Sequence, residues 1–229
     1  MMNILAMDTS NKALSLAILE NEELLGQVTL NIKKNHSITL MPAIDFLMNS
    51  LDMKPTDLDR IAVAQGPGSY TGLRIAVATA KTLAHTLKIE LVGVSSLLAL
   101  VPEQAEGLVI PIMDARRNNV YAGFYQSGQA VRPEAHLPLA EVLEMAGAAN
   151  QPVTFVGEIA VFVEQIEAAL PQAAIRSTLP DAAAVGRLSL DLPAQSIHDF
   201  VPNYLKRVEA EENWLKTHQE SSDSYIQRL

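Results

Sequence analysis

An apolar run that ends in an aspartate occurs twice in this chain, and the pair limits the fold more than any other feature. Ile4-Leu5-Ala6-Met7-Asp8 aligns with Ile110-Pro111-Ile112-Met113-Asp114 at a constant offset. A short apolar run stopped by a carboxylate reads as a buried strand. Its recurrence at one offset is the mark of a duplicated unit. The 229 residues are enough for two lobes, each with a core that needs neither disulfide nor metal to hold it.

The segments after each start agree with a duplication. In the first half, strands are expected over 3–7, 13–19 and 24–30, separated by turn-like Ser10-Asn11-Lys12 and by acidic Glu20 to Glu23. Leu40, Ile44, Leu47 and Leu51 then share one face of a helix over 36–51. A strand over 61–65, a long helix from Gly72 to Leu87 and a strand over 89–94 complete the half. Pro102 to Gly107 makes a linker. The second half repeats the theme, with strands over 108–113, 120–125 and 153–156 and helices over 139–148 and 160–170. The stretch 171–195 carries no clear pattern. Strands that alternate with helices call for mixed sheets covered by helices, an α/β class. The expected division is a first lobe over 1–103, joined by a C-terminal helix over 204–219, a smaller second lobe over 104–203 and a tail over 220–229.

The candidate chemistry is sparse. The chain has no cysteine, which removes thiol nucleophiles, Cys-ligated zinc and iron–sulfur clusters and fits a reducing compartment. Its five histidines form no HExxH and no pair at helical spacing, so no protein-held catalytic metal is expected. A formal charge of −9 argues against this chain alone gripping a polyanion. The start of the chain has no basic region before its apolar run, and no stretch is long enough to span a bilayer, so no membrane role and a cytoplasmic location are expected. Asp8-Thr9-Ser10 suits either a metal–phosphate group or a strand-ending turn, and Asp114 repeats the position. The block GPGSYTGLR, with Gly66, Gly68 and Gly72, is neither a Walker A loop nor a dinucleotide fingerprint nor a nucleophile elbow. On spacing alone it is open between an anion-binding loop and a tightly packed turn.

Six blocks taken in order resemble the bacterial TsaB family, also called YeaZ: ILAMDTS from Ile4, NHSITLMP from Asn35, GPGSYTGLRIAVATAK from Gly66, GVSSLLAL from Gly93, DARRNNVY from Asp114 and PNYLKR from Pro202. The resemblance implies an actin-like ATPase fold of the ribonuclease H-like type, two lobes each with a mixed β-sheet flanked by helices. It also implies a non-catalytic scaffold that pairs with TsaD, and with TsaE, for transfer of a threonylcarbamoyl group to the tRNA adenosine beside the anticodon. TsaD-like proteins carry a metal-binding histidine pair just after the strand that here ends GVSSLLAL. Ser95, Ser96, Leu97 and Leu98 fill that place. ATP and metal are therefore expected on the partner subunits and no cofactor on this one, with Asp8, Thr9, Ser10 and Asp114 as the nucleotide-binding candidates. tRNA is expected to be met only through the complex.

The family's pairing through two first-lobe helices implies an interface that includes Met41, Ile44, Met48, Leu73, Val77 and Ala80, with Gly66, Gly68 and Gly72 holding the loop that positions the second helix. Alone, such a surface is expected to form a homodimer. Two rival activities remain at this level, an ATP-dependent phosphotransferase using Asp8 or Asp114 and a glycoprotease-like peptidase.

Overall fold

The computed structural model describes residues 1–32 and 35–206. Alternation of side chains across a strand decides how the first sheet is covered. In β1 (Asn3–Asp8) and β4 (Arg60–Gly66), Leu5, Met7, Ile61 and Val63 point to one face. Ile4, Ala6, Ala62 and Ala64 point to the other. The face of large residues packs against α1 (His36–Ser50) and α2 (Tyr70–Leu87), and the alanine-rich face takes a single short helix at close range.

With β2 (Leu14–Glu20), β3 (Glu23–Leu30) and β5 (Glu90–Ser95), the sheet runs in the order β3-β2-β1-β4-β5. The first three strands are antiparallel, and β1, β4 and β5 are parallel. The second sheet consists of β6 (Leu108–Asp114), β7 (Asn119–Gln126), β8 (Gln129–Pro138), β9 (Val153–Gly157) and β10 (Ala174–Ser177). Its order is β8-β7-β6-β9-β10, the same path traced again. Parallel and antiparallel pairs also fall in the same places. The duplication read from two pentapeptides thus extends to the whole topology. One face of the second sheet packs on α3 (Leu139–Gly147) and α4 (Val163–Ala169). On the other, Val109, Met113 and Val156 meet Leu97 and Leu100 of the crossing segment, a small core shared by both lobes.

The structure corrects the expected lobe boundary. The helix on the alanine-rich face is α5 (Ala182–Leu188), from the stretch assigned to the second lobe. Asp181 caps it and bonds Gln27, while Ala182 N donates to Ser15 Oγ. Beyond it the chain stays with the first sheet. The buried Arg60 guanidinium holds Glu90 and the Ser189 carbonyl, Lys81 Nζ donates to the carbonyls of His198 and Phe200, and Asn203 N donates to Gln65 O. Phe200, only 5% exposed, sits in the core with α1 and α2. The first lobe is therefore discontinuous, and burial is the reason: without α5 the face bearing Ala6, Ala17, Ala62 and Ala64 would lie open to water.

Smaller differences concern single elements. α2 begins two residues before Gly72 because the Ser69 hydroxyl caps it, accepting from Gly72 N. α4 is shorter than expected, and β8 occupies a stretch with little recognisable signal. The helix expected over 204–219 and the tail over 220–229 fall outside the described residues except for Tyr204, Leu205 and Lys206, which are not helical. No helix among the described residues is long and apolar enough to cross a membrane.

The return of the chain to the first lobe has a measurable consequence. Phe200→Ala is expected to cost about 3 kcal/mol in urea unfolding, the range for a buried aromatic. If residues 181–203 belonged energetically to the second lobe, or hung loosely, the loss would stay within about 0.5 kcal/mol.

Candidate functional site

The parallel strands β1 and β4 end at a cleft between the lobes, where open α/β sheets place their ligands. The cleft is about 930 Å³ and is lined by Ser10 to Lys12, His36 and the start of α2 on one side, and by Asp114, Arg116, Tyr121 and Glu158 on the other, with Lys206 at its edge. Both repeated aspartates stand at its head with the same local geometry. Asp8 Oδ1 accepts from Ser10 N at 2.7 Å, and Asp114 Oδ1 accepts from Arg116 N at 2.8 Å. This turn, closed by a side chain on the backbone two residues on, is what aspartate favours at a strand end.

Their surroundings differ. Asp114 is exposed in the cleft, while Asp8 is wholly buried and does not line it. Asp8 Oδ2 has no hydrogen-bond partner, and neither has the buried Ser10 Oγ. Burial is the largest influence on the Asp8 carboxyl and pushes its pKa above the ordinary 3.8, with Asp181 adding to the rise and the Ser10 amide bond and His36 opposing it. The neighbouring Thr9 hydroxyl donates to Gly72 O at 2.7 Å.

The glycine block lies directly on these residues. Ser69 N donates to Ser10 O at 2.6 Å. A Cβ on Gly68 would stand 2.3 Å from Ser10 O, and one on Gly72 would stand 2.0 Å from Thr9 O. Gly66 lies beside Asn203 of the returning chain, and its amide donates to Ser96 Oγ. The amides of Gly66, Ser69 and Gly72 are thus engaged inside the protein. Close backbone packing, one of the two readings open in the sequence, is present, and Gly68, Tyr70 and Thr71 also line the cleft.

A nucleotide with its metal fits this arrangement poorly. The first aspartate is sealed away, the serine hydroxyl beside it is covered by the glycine loop, and the Gly66 and Ser69 amides are engaged by Ser96 and Ser10. Among the described residues no group of three or more His, Asp or Glu side chains is placed to hold a metal ion. The cleft retains Lys12, His36, Arg116 and Lys206 beside Asp114 and Glu158, a mixed polar lining that turn composition alone does not reveal.

The expected interface residues divide sharply. Ile44, Met48, Leu73, Val77 and Ala80 are at most 5% exposed and belong to the first lobe's own core. They cannot form a surface, because the stripe that makes each helix amphipathic is the one its sheet covers. Met41 is 48% exposed. The apolar side chains that α1 does show to solvent are Ile38, Met41 and Phe46, of which the sequence pattern marks only Met41; helical periodicity picks out the buried stripe and passes over its opposite face. At the start of α2, Tyr70 stacks on Tyr204 with ring centroids 4.9 Å apart, and Arg74 donates to Tyr70 Oη.

Two α/β lobes of one repeated topology, each a mixed sheet flanked by helices, thus meet at a cleft whose first aspartate is buried. Comparison with known proteins narrows this. Residues 23–214 match the family model of TsaD, tRNA N6-adenosine threonylcarbamoyltransferase. The chain is 41% identical to the tRNA threonylcarbamoyladenosine biosynthesis protein TsaB of Bacillus subtilis, over 94% of this chain and 99% of that one. It is 30% identical to the Escherichia coli TsaB over 55% of each chain. YeaZ from Pseudomonas aeruginosa superposes with a TM-score of 0.76 at 28% identity, covering 90% of this chain and all of that one. The chain belongs to the TsaB (YeaZ) family.

Two measurements test the site. Gly72→Ala is expected to destabilise the chain by about 2 kcal/mol, because Thr9 O is backbone and cannot swing aside. A change under about 0.5 kcal/mol in urea unfolding would contradict the close approach. The second concerns pH. With its folded pKa raised, Asp8 holds its proton more tightly folded than unfolded. Its contribution is therefore full below 3.8 and is lost as pH rises through the folded value. Asp8→Asn is expected to flatten the fall of the urea midpoint as pH rises from about 4 to 8; an unchanged slope would show that Asp8 ionises as easily folded as unfolded.

Proposed function

We propose that this chain is a non-catalytic scaffold subunit that pairs with TsaD, and is joined by TsaE, for threonylcarbamoyl transfer to the tRNA adenosine beside the anticodon. The observation that carries the reading is the end-to-end similarity to a protein named for threonylcarbamoyladenosine biosynthesis. A cleft whose first aspartate is buried behind its lining supports a supporting role over an ATP-using one. The acidic charge agrees, since tRNA contact then falls mainly to the partners. In this reading ATP and metal are used on the partner subunits, and the complex works in the cytoplasm.

The surface proposed to meet TsaD is the exposed arc of α1 with Ile38, Met41 and Phe46. When the partner is missing, the same arc brings two copies of the chain together as a homodimer. A charged substitution at Ala80, one of the expected interface residues, would break the core and not probe this contact, because Ala80 is fully buried. Phe46→Asp is the useful probe, as Phe46 is 62% exposed.

The test is reconstitution of the modification with tRNA, threonine, bicarbonate, ATP, the adenylate-forming enzyme, TsaD and TsaE, with modified adenosine read by mass spectrometry. Product is expected only when this chain is present, and Asp8→Asn is expected to leave it intact. Phe46→Asp is expected to keep the fold, by circular dichroism, and to weaken TsaD binding about tenfold or more. Equal product without the chain would overturn the scaffold role. Full TsaD binding by folded Phe46→Asp would overturn the choice of surface.

A further inference from the structure

Glu134 stands in β8, on the outer edge of the second sheet, yet its carboxylate reaches the first. Its Oε1 accepts from two hydroxyls, Ser95 Oγ at the end of β5 and Tyr125 Oη in β7. Ser95 is fully engaged. While its hydroxyl donates to Glu134, its oxygen accepts from Leu97 N and Leu98 N, each at 3.1 Å. Those two amides belong to the first turn of the segment by which the chain leaves the first lobe. Leu97 also lies in the small apolar core shared by both lobes. One carboxylate oxygen therefore ties the last residue of the first sheet, the start of the crossing segment and two strands of the second sheet.

The chemistry favours a firm contact. Tyr125 is 3% exposed and Glu134 and Ser95 are half-buried, so the carboxylate meets its donors partly shielded from water, where charge-assisted hydrogen bonds gain strength. Burial, with the Glu134 charge added, pushes the Tyr125 phenol well above its ordinary pKa, so it keeps its proton and donates.

We propose that Glu134 is an interlobe latch: by holding Ser95 and Tyr125 on one carboxylate oxygen it fixes the angle between the lobes and keeps the cleft at one opening. The device makes the chain a rigid frame. A two-lobed protein joined only by its outgoing and returning segments and a small apolar contact would hinge about them. The inference rests on the geometry alone and stands apart from the proposed function.

The chain has no cysteine, so two introduced ones give clean labelling. Glu22→Cys in the first lobe and Glu144→Cys in the second are both at exposed positions. Spin labels there, in full-length chain diluted with unlabelled protein, report the distance between lobes by double electron–electron resonance. The parent is expected to give one narrow distribution. Glu134→Ala and Ser95→Ala, which break the latch from opposite sides, are each expected to broaden it at least twofold or add a second population. Tyr125→Phe leaves the Ser95 contact in place and is expected to leave the distribution narrow, which separates a latch from general loss of packing. If Glu134→Ala does not fold, Ser95→Ala decides alone. Distributions unchanged in the folded latch variants, or broadened as much by Tyr125→Phe, would overturn the proposal.

Discussion

The close approach of the glycine loop to the end of β1 is the contact on which the rest of the first lobe depends. Ser69 N on Ser10 O, Thr9 Oγ1 on Gly72 O and the bare Cα positions of Gly68 and Gly72 bring the start of α2 onto the strand end with nothing between them. That contact fixes how α2 lies on the sheet, and α2 with α1 then fixes which apolar side chains are core. The same contact commits the Ser69 amide to the strand end. A backbone amide that donates to a carbonyl is not free for a ligand, so the packing limits what this part of the loop can bind.

The two lobes set the repeated aspartate in opposite surroundings. Asp114 keeps its turn with Arg116 in the open cleft, while Asp8 makes the same turn under cover. A buried carboxyl with one oxygen unpartnered is a poor structural choice, since an apolar residue or an asparagine there would not need to keep a proton.

Much of this is legible in the residues, for reasons that can be named. Apolar runs closed by Asp8 and Asp114 mark two buried central strands, and turn chemistry between them marks the hairpins. β8 escapes pattern reading because its exposed, polar strand carries Pro133 and little alternation, although Ser127-Gly128, both at positive φ, is a hairpin turn with a recognisable signature. α5 escapes it because AAAVGRL owes its burial to the small residues it lies on, and those are in β1, β2 and β4, far away in sequence. The interface residues go wrong for the opposite reason: periodicity in α1 and α2 is strong, and it points at their own sheet. Glu134 carries no local signal at all, since its partners Ser95 and Tyr125 come from two other strands.

The discontinuity of the first lobe bears on how the chain is made. α5 and Phe200 complete the two sides of the first sheet, yet the ribosome delivers them only after the whole second sheet. Until then the alanine-rich face of β1, β2 and β4 is wet and the nascent first lobe is unfinished, while β6 to β10 can already close on α3 and α4. The lobe synthesised second is thus the first able to fold to completion, and the lobe synthesised first must wait for a late segment to seal it.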